Sequence, residues 1–232
     1  MTQVGSPEDV AVAVHQALAA AGLSDMVWGH ASVRLPDGSG IVMKSSGWGF
    51  EEITPQRLVR VSWEGQRLAG EGTVHIEVPI HTRIMAARPE VQAVVHTHAP
   101  AVTAFASLGV PLRAISHDGV PFAFQLPRFE RTGNLIDSAE LGDALAHELG
   151  TAPAIVIPQH GSVTVGRTVG QAVMHAVLLE RACTTFLAAT AAGGPAVWSD
   201  DAELSAKLEL VWSPKQMEAG YRYLARKGAA LT

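Results

Sequence analysis

Glu77, His96, His98 and His160 are the residues whose types and spacing point most directly to chemistry. The stretch E-V-P-I-H-T-R-I-M-A-A-R-P-E-V-Q-A-V-V-H-T-H, residues 77–98, reads as a helix, a turn and a strand that ends in two histidines. Histidines one residue apart on a strand face the same way. Two imidazoles side by side are a metal-binding geometry that zinc, manganese, iron and cobalt accept. The same pair also suits two polar residues on a strand rim, so a third ligand decides between the readings. A-I-V-I-P-Q-H-G, residues 154–161, offers one: an apolar run ending in His160 and a glycine. Glu77, on the helix before the pair, offers an acid or a base. Three neutral imidazoles leave a divalent cation with open positions, the mark of a catalytic site.

The elements that must position these residues follow from the pattern around them. Ser6-Pro7-Glu8-Asp9 is a helix start that runs to about Ala21 and stops at Gly22. M-V-W-G-H-A-S-V-R-L alternates like a strand, turns at P-D-G-S-G and returns as I-V-M-K. Gly29 and His30 fall where that first strand begins. The loop S-S-G-W-G-F, residues 45–50, has the glycines and hydroxyls to offer backbone N–H groups to a ligand. A short helix is expected over Glu51 to Leu58, then a strand, an E-G turn and another strand to Gly70. After His98 the pattern predicts a short helix to Gly109, a strand over 110–115 and a long irregular loop rich in proline and aromatics. A helix capped at Asp137 or Ser138 follows, then the His160 strand, S-V-T-V, and a long helix from Thr168 to about Ala192. One or two helices close the chain from Asp200. Tight turns between strands predict a largely antiparallel or mixed sheet with helices packed on it, in a single domain spanning 1–232 with a helical extension from about 200.

Composition narrows the function classes. Nearly half of the 232 residues are apolar, enough to bury a sizeable core, and no unbroken apolar run reaches the length of a membrane span. The N-terminus lacks the pattern of a secretory signal. Cys183 is the single cysteine, which excludes an internal disulfide and makes a reducing cytoplasm the simplest setting. A net charge of −5 without a Lys/Arg cluster disfavours nucleic acid and anionic membrane as partners. Of the ten histidines, His15, His147 and His175 read as helix-surface or packed residues.

The motif A-R-P-E-V-Q-A-V-V-H-T-H, the upstream Glu77, and the later Q-H-G followed by S-V-T-V-G-R-T and a long helix resemble the class II aldolase/adducin family over about residues 7–192. The resemblance implies a three-layer α/β/α domain around a mainly antiparallel sheet, and a homotetramer with active sites between subunits. It makes His96, His98 and His160 the ligands of a divalent metal, with zinc expected first and manganese, iron or cobalt as alternatives. It makes Glu77 the catalytic carboxylate. His81, one turn beyond, either orients Glu77 or is a packed helix residue.

The departures from the family pattern bear on the substrate. Sugar-phosphate members resembling this chain carry Gly-Asn where Gly29-His30 stands, and a Ser-Ser pair where His75-Ile76 stands. Their Thr-Gly phosphate loop is matched by Ser46-Gly47, and the tyrosine donated across the subunit interface is replaced near His117-Asp118. The phosphate-holding hydroxyls and that general acid are therefore lost together. The G-H pair and the H-D-G-V-P-F segment resemble a subgroup that decarboxylates hydroxylated aromatic or heteroaromatic carboxylic acids. Both decarboxylation and aldol cleavage break a C–C bond and leave a carbanion that a metal stabilises through an adjacent oxygen. The expected activity is thus a metal-dependent lyase acting on a small molecule, a decarboxylase first. The alternatives are an aldolase or epimerase of a sugar or its phosphate, and a non-catalytic adducin-like interaction module. His30, His75 and His117 are candidates to bind or protonate the second oxygenated group. Lys44, Arg83, Arg113, Arg128 and Arg131 are the cations able to grip a carboxylate, most of them expected to be surface charges.

Overall fold

The computed structural model describes residues 5–230. Helix α1 (Pro7–Ala20) begins at Ser6, whose hydroxyl accepts the Asp9 N–H while the Asp9 carboxylate reaches back to the Ser6 N–H. These two bonds satisfy donors that a helix start leaves open. Strands β1 (His30–Arg34), β2 (Gly40–Lys44), β3 (Leu58–Ser62) and β4 (Arg67–Ala69) follow as an antiparallel meander. Helix α2 (Val78–Ala87) leads into β5 (Ala93–Thr97), and α3 (Pro100–Ala106) leaves it. A four-residue helix α4 (Val120–Ala123) and helix α5 (Ala139–Leu149) precede β6 (Ala154–Ile157) and β7 (Gly161–Gly166). Three helices end the chain: α6 (Val169–Ala191), α7 (Asp201–Leu210) and α8 (Pro214–Ala229).

The seven strands form one sheet, in the order β4-β3-β2-β1-β5-β7-β6, and every ladder is antiparallel. Alternation sends successive side chains to opposite faces. Ala31, Val33, Ala93 and Val95 pack under α1, α3 and α6. Val94, Val163, Val165, Ile41 and Met43 pack under α2 and α5. The result is the three-layer α/β/α arrangement expected from the resemblance. Since Val94 faces α2, so does His96. Since Ala31 and Val33 face α1, His30 and Ser32 face α2. The ladder sets His30 directly opposite His96, so the sheet itself gathers His30, Ser32 and His96 on the face that α2 covers.

Several local expectations are corrected. Residues 51–58 form two short 3₁₀ turns, Phe50–Glu52 and Pro55–Arg57, instead of a helix. The ring of Pro55 disfavours a helical Thr54, which is extended at φ −123° and ψ 165°. The segment 110–115 is not a strand. Its carbonyls go elsewhere: Arg128 donates to Val110 O, and the Ser199 N–H to Ala114 O. The free edge of β6 is already taken by residues 127–129, where Phe129 N donates to Val156 O and Val156 N to Pro127 O. Helix α6, capped by the Thr168 hydroxyl, is the one helix among the described residues long and apolar enough to cross a membrane. Glu180 and Arg181 interrupt its apolar run. About half of it is buried, and it packs on β7, α3 and α8.

Candidate active site

Three chain segments deliver the predicted ligands. His96 is the penultimate residue of β5. His98 lies one residue past the strand's end yet keeps its side, with its Nε2 3.0 Å from that of His96. His160 ends the turn between β6 and β7, after Gln159 in the left-handed region at φ 66°. Gly161 makes this approach possible: a Cβ there would run into the Thr97 carbonyl. Glu77 stands immediately before α2, not within it. One donor atom from each of Glu77, His96, His98 and His160 lies within 4.8 Å of the others.

The groups behind the rings define their tautomers. His96 Nδ1 lies 3.0 Å from the Ser162 carbonyl, which can only accept, so Nδ1 carries the hydrogen and Nε2 is bare. His98 Nδ1 lies 2.7 Å from Asp25 Oδ2, with the same consequence. The two Nε2 atoms then face each other across 3.0 Å. Burial and the neighbouring imidazoles hold His96 well below its ordinary pKa, so protonation is not its remedy. Burial likewise pushes His160 down to about 4. Two converging ring nitrogens, backed by a carboxylate and a carbonyl, are the donor set a divalent cation requires. The residues therefore fit a metal held by His96, His98 and His160.

Glu77 completes the cluster. Its Oε1 accepts the Ile136 N–H at 2.8 Å and lies 3.7 Å from His160 Nε2. Its Oε2 lies 3.5 Å from His96 Nε2 and 3.6 Å from His30 Nε2. Burial raises the Glu77 pKa, while the Ile136 N–H pulls against it. A buried carboxyl whose pKa is raised, next to a candidate cation site, is equipped to carry a proton to or from a reacting atom.

The other predicted residues divide. His30 is buried beside Glu77, with its ring 4.9 Å from that of His96. His75 packs on His30 at 4.6 Å, and burial pushes its pKa to about 3. Gly29 lies against the His96 carbonyl and the Phe50 ring. Ser46 and Gly47 are exposed in a loop that Lys44 ties to the segment before β1, its Nζ donating to Val27 O and Trp48 O. No hydrogen bond among the described residues joins Ser46 or Gly47 to the histidines. His117 is exposed in a 3₁₀ turn beside α6, and its carbonyl accepts from Trp212 Nε1. It makes no contact with the cluster in its own chain. His81 does not touch Glu77; it bridges Ser32 and His30. His15 and His175 are packed residues bonded to the Ala11 and Val165 carbonyls, and His147 is exposed on α5. The candidate cations are all engaged: Arg83 with Asp143, Arg131 with Glu148, Arg113 over Trp198, and Arg128 on the Ala106 and Val110 carbonyls.

Asp25 and Ser32 escaped the sequence reading. The only available signal for Asp25 was a requirement: a ligand histidine needs an acceptor for its second nitrogen. For Ser32 it was the strand period, which places it beside His30 on the same face.

A family model described as the class II aldolase and adducin N-terminal domain matches residues 9–187. The 3,4-dihydroxyphthalate decarboxylase of Arthrobacter keyseri is 30% identical, over 99% of this chain and 97% of its own. The protein of the same name from Rhodococcus jostii is 33% identical, over 80% of this chain and 81% of its own. Among solved structures, the L-fuculose 1-phosphate aldolase of Glaciozyma antarctica is similar at a TM-score of 0.83 and 27% identity, covering 100% of this chain and 93% of that one. With the family model matched along most of its length and the layered sheet in place, this chain belongs to the class II aldolase and adducin family.

Proposed function

We propose that the protein is a metal-dependent carbon–carbon lyase that decarboxylates a hydroxylated aromatic or heteroaromatic carboxylic acid. The observation that carries this reading is the pair of buried imidazoles of His30 and His75 beside Glu77, their rings 4.6 Å apart and tilted by 50°. They stand where the resemblance to sugar-phosphate members calls for an asparagine and a phosphate-holding serine. The second serine position is Ile76, an exposed side chain with nothing to offer a phosphate. Two relatives named as 3,4-dihydroxyphthalate decarboxylases support the same substrate class. So do Met26, Trp28 and Leu135, exposed apolar residues next in the chain to Asp25, Gly29 and Ile136, which suit an aromatic ring better than a sugar.

A divalent cation held by His96, His98 and His160, zinc in the first instance, supplies the Lewis acidity that spreads the charge left by C–C cleavage onto a neighbouring oxygen. The ring–carboxylate bond breaks, its electron pair stays on the ring carbon, and carbon dioxide leaves. Protonated Glu77 gives its hydrogen to that carbon and is reprotonated from solvent. Burial raises its pKa, which favours the protonated form this step uses. Asp25 and the Ser162 carbonyl keep the ligand rings oriented. His117 enters as a group supplied by a neighbouring subunit of the tetramer that the resemblance implies. The lone buried thiol of Cys183 suits the cytoplasmic setting.

The test is a carbon dioxide release screen over hydroxyaryl carboxylates with zinc-loaded protein. Release is expected to stop on chelation and in Glu77→Gln, which should keep its zinc. Calorimetry with phosphoglycolohydroxamate, an enediolate mimic bearing a phosphate, is the counter-test against acetohydroxamate. Clearly tighter binding of the phosphorylated mimic, with no carbon dioxide released from any acid, would return the protein to the sugar-phosphate aldolases.

A further inference from the structure

Four histidines surround Glu77, and three have been read as ligands. The fourth, His30, has different groups behind it. Its Nδ1 lies 2.6 Å from His81 Nε2, and His81 Nδ1 lies 2.7 Å from Ser32 Oγ. All three residues are buried, and an imidazole carries at least one ring hydrogen. A chain of this kind can run in only two directions.

The serine end selects one. The Ser32 hydroxyl has His81 as its single partner among the described residues. If it accepted from His81, its own hydrogen would be buried without an acceptor, a penalty of the kind proteins avoid. It therefore donates to His81 Nδ1. His81 then carries its hydrogen on Nε2 and donates it to His30 Nδ1. His30 in turn carries its hydrogen on Nε2, the atom that faces Glu77 Oε2 at 3.6 Å. The reverse direction would leave the Ser32 hydroxyl hydrogen buried without an acceptor.

We infer that Ser32 and His81 are positioning residues that hold His30 as an Nε2–H donor, so that His30 is not a fourth metal ligand but the hydrogen-bond donor to an anionic oxygen of the substrate, a phenolate or carboxylate. The substrate half of this inference rests on the decarboxylase reading; the tautomer half does not. It also answers a question the cations raise. Arg83, Arg113, Arg128 and Arg131 are all engaged elsewhere, and Lys44 is spent on two loop carbonyls. None of these five faces the cluster, whereas His30 Nε2 lies 3.6 Å from Glu77 Oε2.

The test is the nitrogen spectrum of metal-free protein labelled with ¹⁵N-histidine, with the His30 signals assigned through His30→Gln. Long-range correlations should show a protonated Nε2 and a bare Nδ1 at His30. A bare Nε2 overturns the inference. Ser32→Ala should release the tautomer into a mixture. His81→Gln should keep it, because the amide N–H₂ still donates to His30 Nδ1, whereas His81→Leu should lose it. On zinc-loaded protein, 2,3-dihydroxybenzoate should bind about tenfold more weakly in His81→Leu and recover in His81→Gln. Zinc affinity should be unchanged in both; a parallel loss of zinc would mean that His81 only supports the fold around the metal and would overturn the positioning role. If wild type shows the expected tautomer but binds no hydroxyaryl carboxylate, the decarboxylase reading fails and the tautomer stands.

Discussion

Replacing Asp25 with alanine removes the carboxylate behind one proposed metal ligand, His98, without touching any of the three histidines. Asp25 Oδ2 lies 2.7 Å from His98 Nδ1, and the side chains retain 30% and 23% of their exposure. The carboxylate holds the ring's hydrogen on Nδ1, leaving Nε2 bare, and makes that nitrogen a stronger donor. Losing such an acceptor costs a metal site about 10–100-fold in affinity. Partial exposure lets water replace the lost acceptor, which favours the lower end: about tenfold, or about 1.4 kcal/mol. Asp25→Asn keeps an acceptor oxygen but not the charge, so its loss should be smaller. The assay is zinc competition against a chromogenic chelator at pH 7.5, with thermal unfolding of the metal-free proteins as a check on folding. Ser24→Ala is the control, because Ser24 holds the same loop through Glu51 at 2.7 Å without facing the site. Zinc binding by Asp25→Ala within twofold of wild type would refute the argument. So would an equal loss in Ser24→Ala, which would assign the effect to the loop and not to the carboxylate.

Two further outcomes follow from the same geometry. His15 is buried with Nε2 unpaired, and burial pushes its pKa to about 3, against an ordinary value near 6.5. A depressed histidine leaves stability untouched above about pH 6.5, and stability is lost as pH falls toward 3, because only the unfolded chain takes up the proton. His15→Leu should therefore gain about 2 kcal/mol on wild type between pH 8 and pH 5, read by urea unfolding of metal-free protein at each pH; a difference independent of pH would sink this reading. Gly161→Ala places a methyl group against the Thr97 carbonyl, so it should cost about 2 kcal/mol or more and weaken zinc binding, since His98 and His160 can no longer approach. A stable variant with unchanged zinc affinity would show that the turn has room to spare.

Much of the fold was legible because it rests on alternation. The period of two in 26–35 and 41–44 predicted β1 and β2, and the Ser6-Pro7 start and the Thr168 cap marked helices within a residue of their ends. The misread segments failed for reasons outside themselves. Val110–Ile115 has the composition of a strand, but residues 127–129 already cover the sheet edge at β6, and Arg128 and Ser199 claim its carbonyls. Residues 51–58 carry a helix start at Thr54-Pro55, but the same proline ends any helix arriving from Glu51. The basic residues were legible as charges and not as partners. Arg83 finds Asp143, and Arg131 finds Glu148, across distances in the chain that no local pattern records.

The site divides along the same line, and the division has a chemical consequence. His30, His96 and His98 are the same residue type on one face, and nothing local distinguishes a ligand from a donor among them. The distinction lies in the group behind each ring. Behind His96 and His98 stand acceptors, the Ser162 carbonyl and Asp25, which draw the hydrogen to Nδ1 and turn a lone pair toward the centre. Behind His30 stands a donor chain, Ser32 through His81, which turns a hydrogen toward the centre instead. Asp25 is 73 residues from His98 and Ser32 is 49 from His81, so only the closed sheet brings these choices together. Lone pairs on one side of Glu77 and an N–H on the other give the pocket a polarity: one side suits a cation, the other an anionic oxygen. A substrate that offers one oxygen to the histidine side, where a cation would be held, and a second to His30 would satisfy both sides at once, and an ortho-hydroxy carboxylate has that shape.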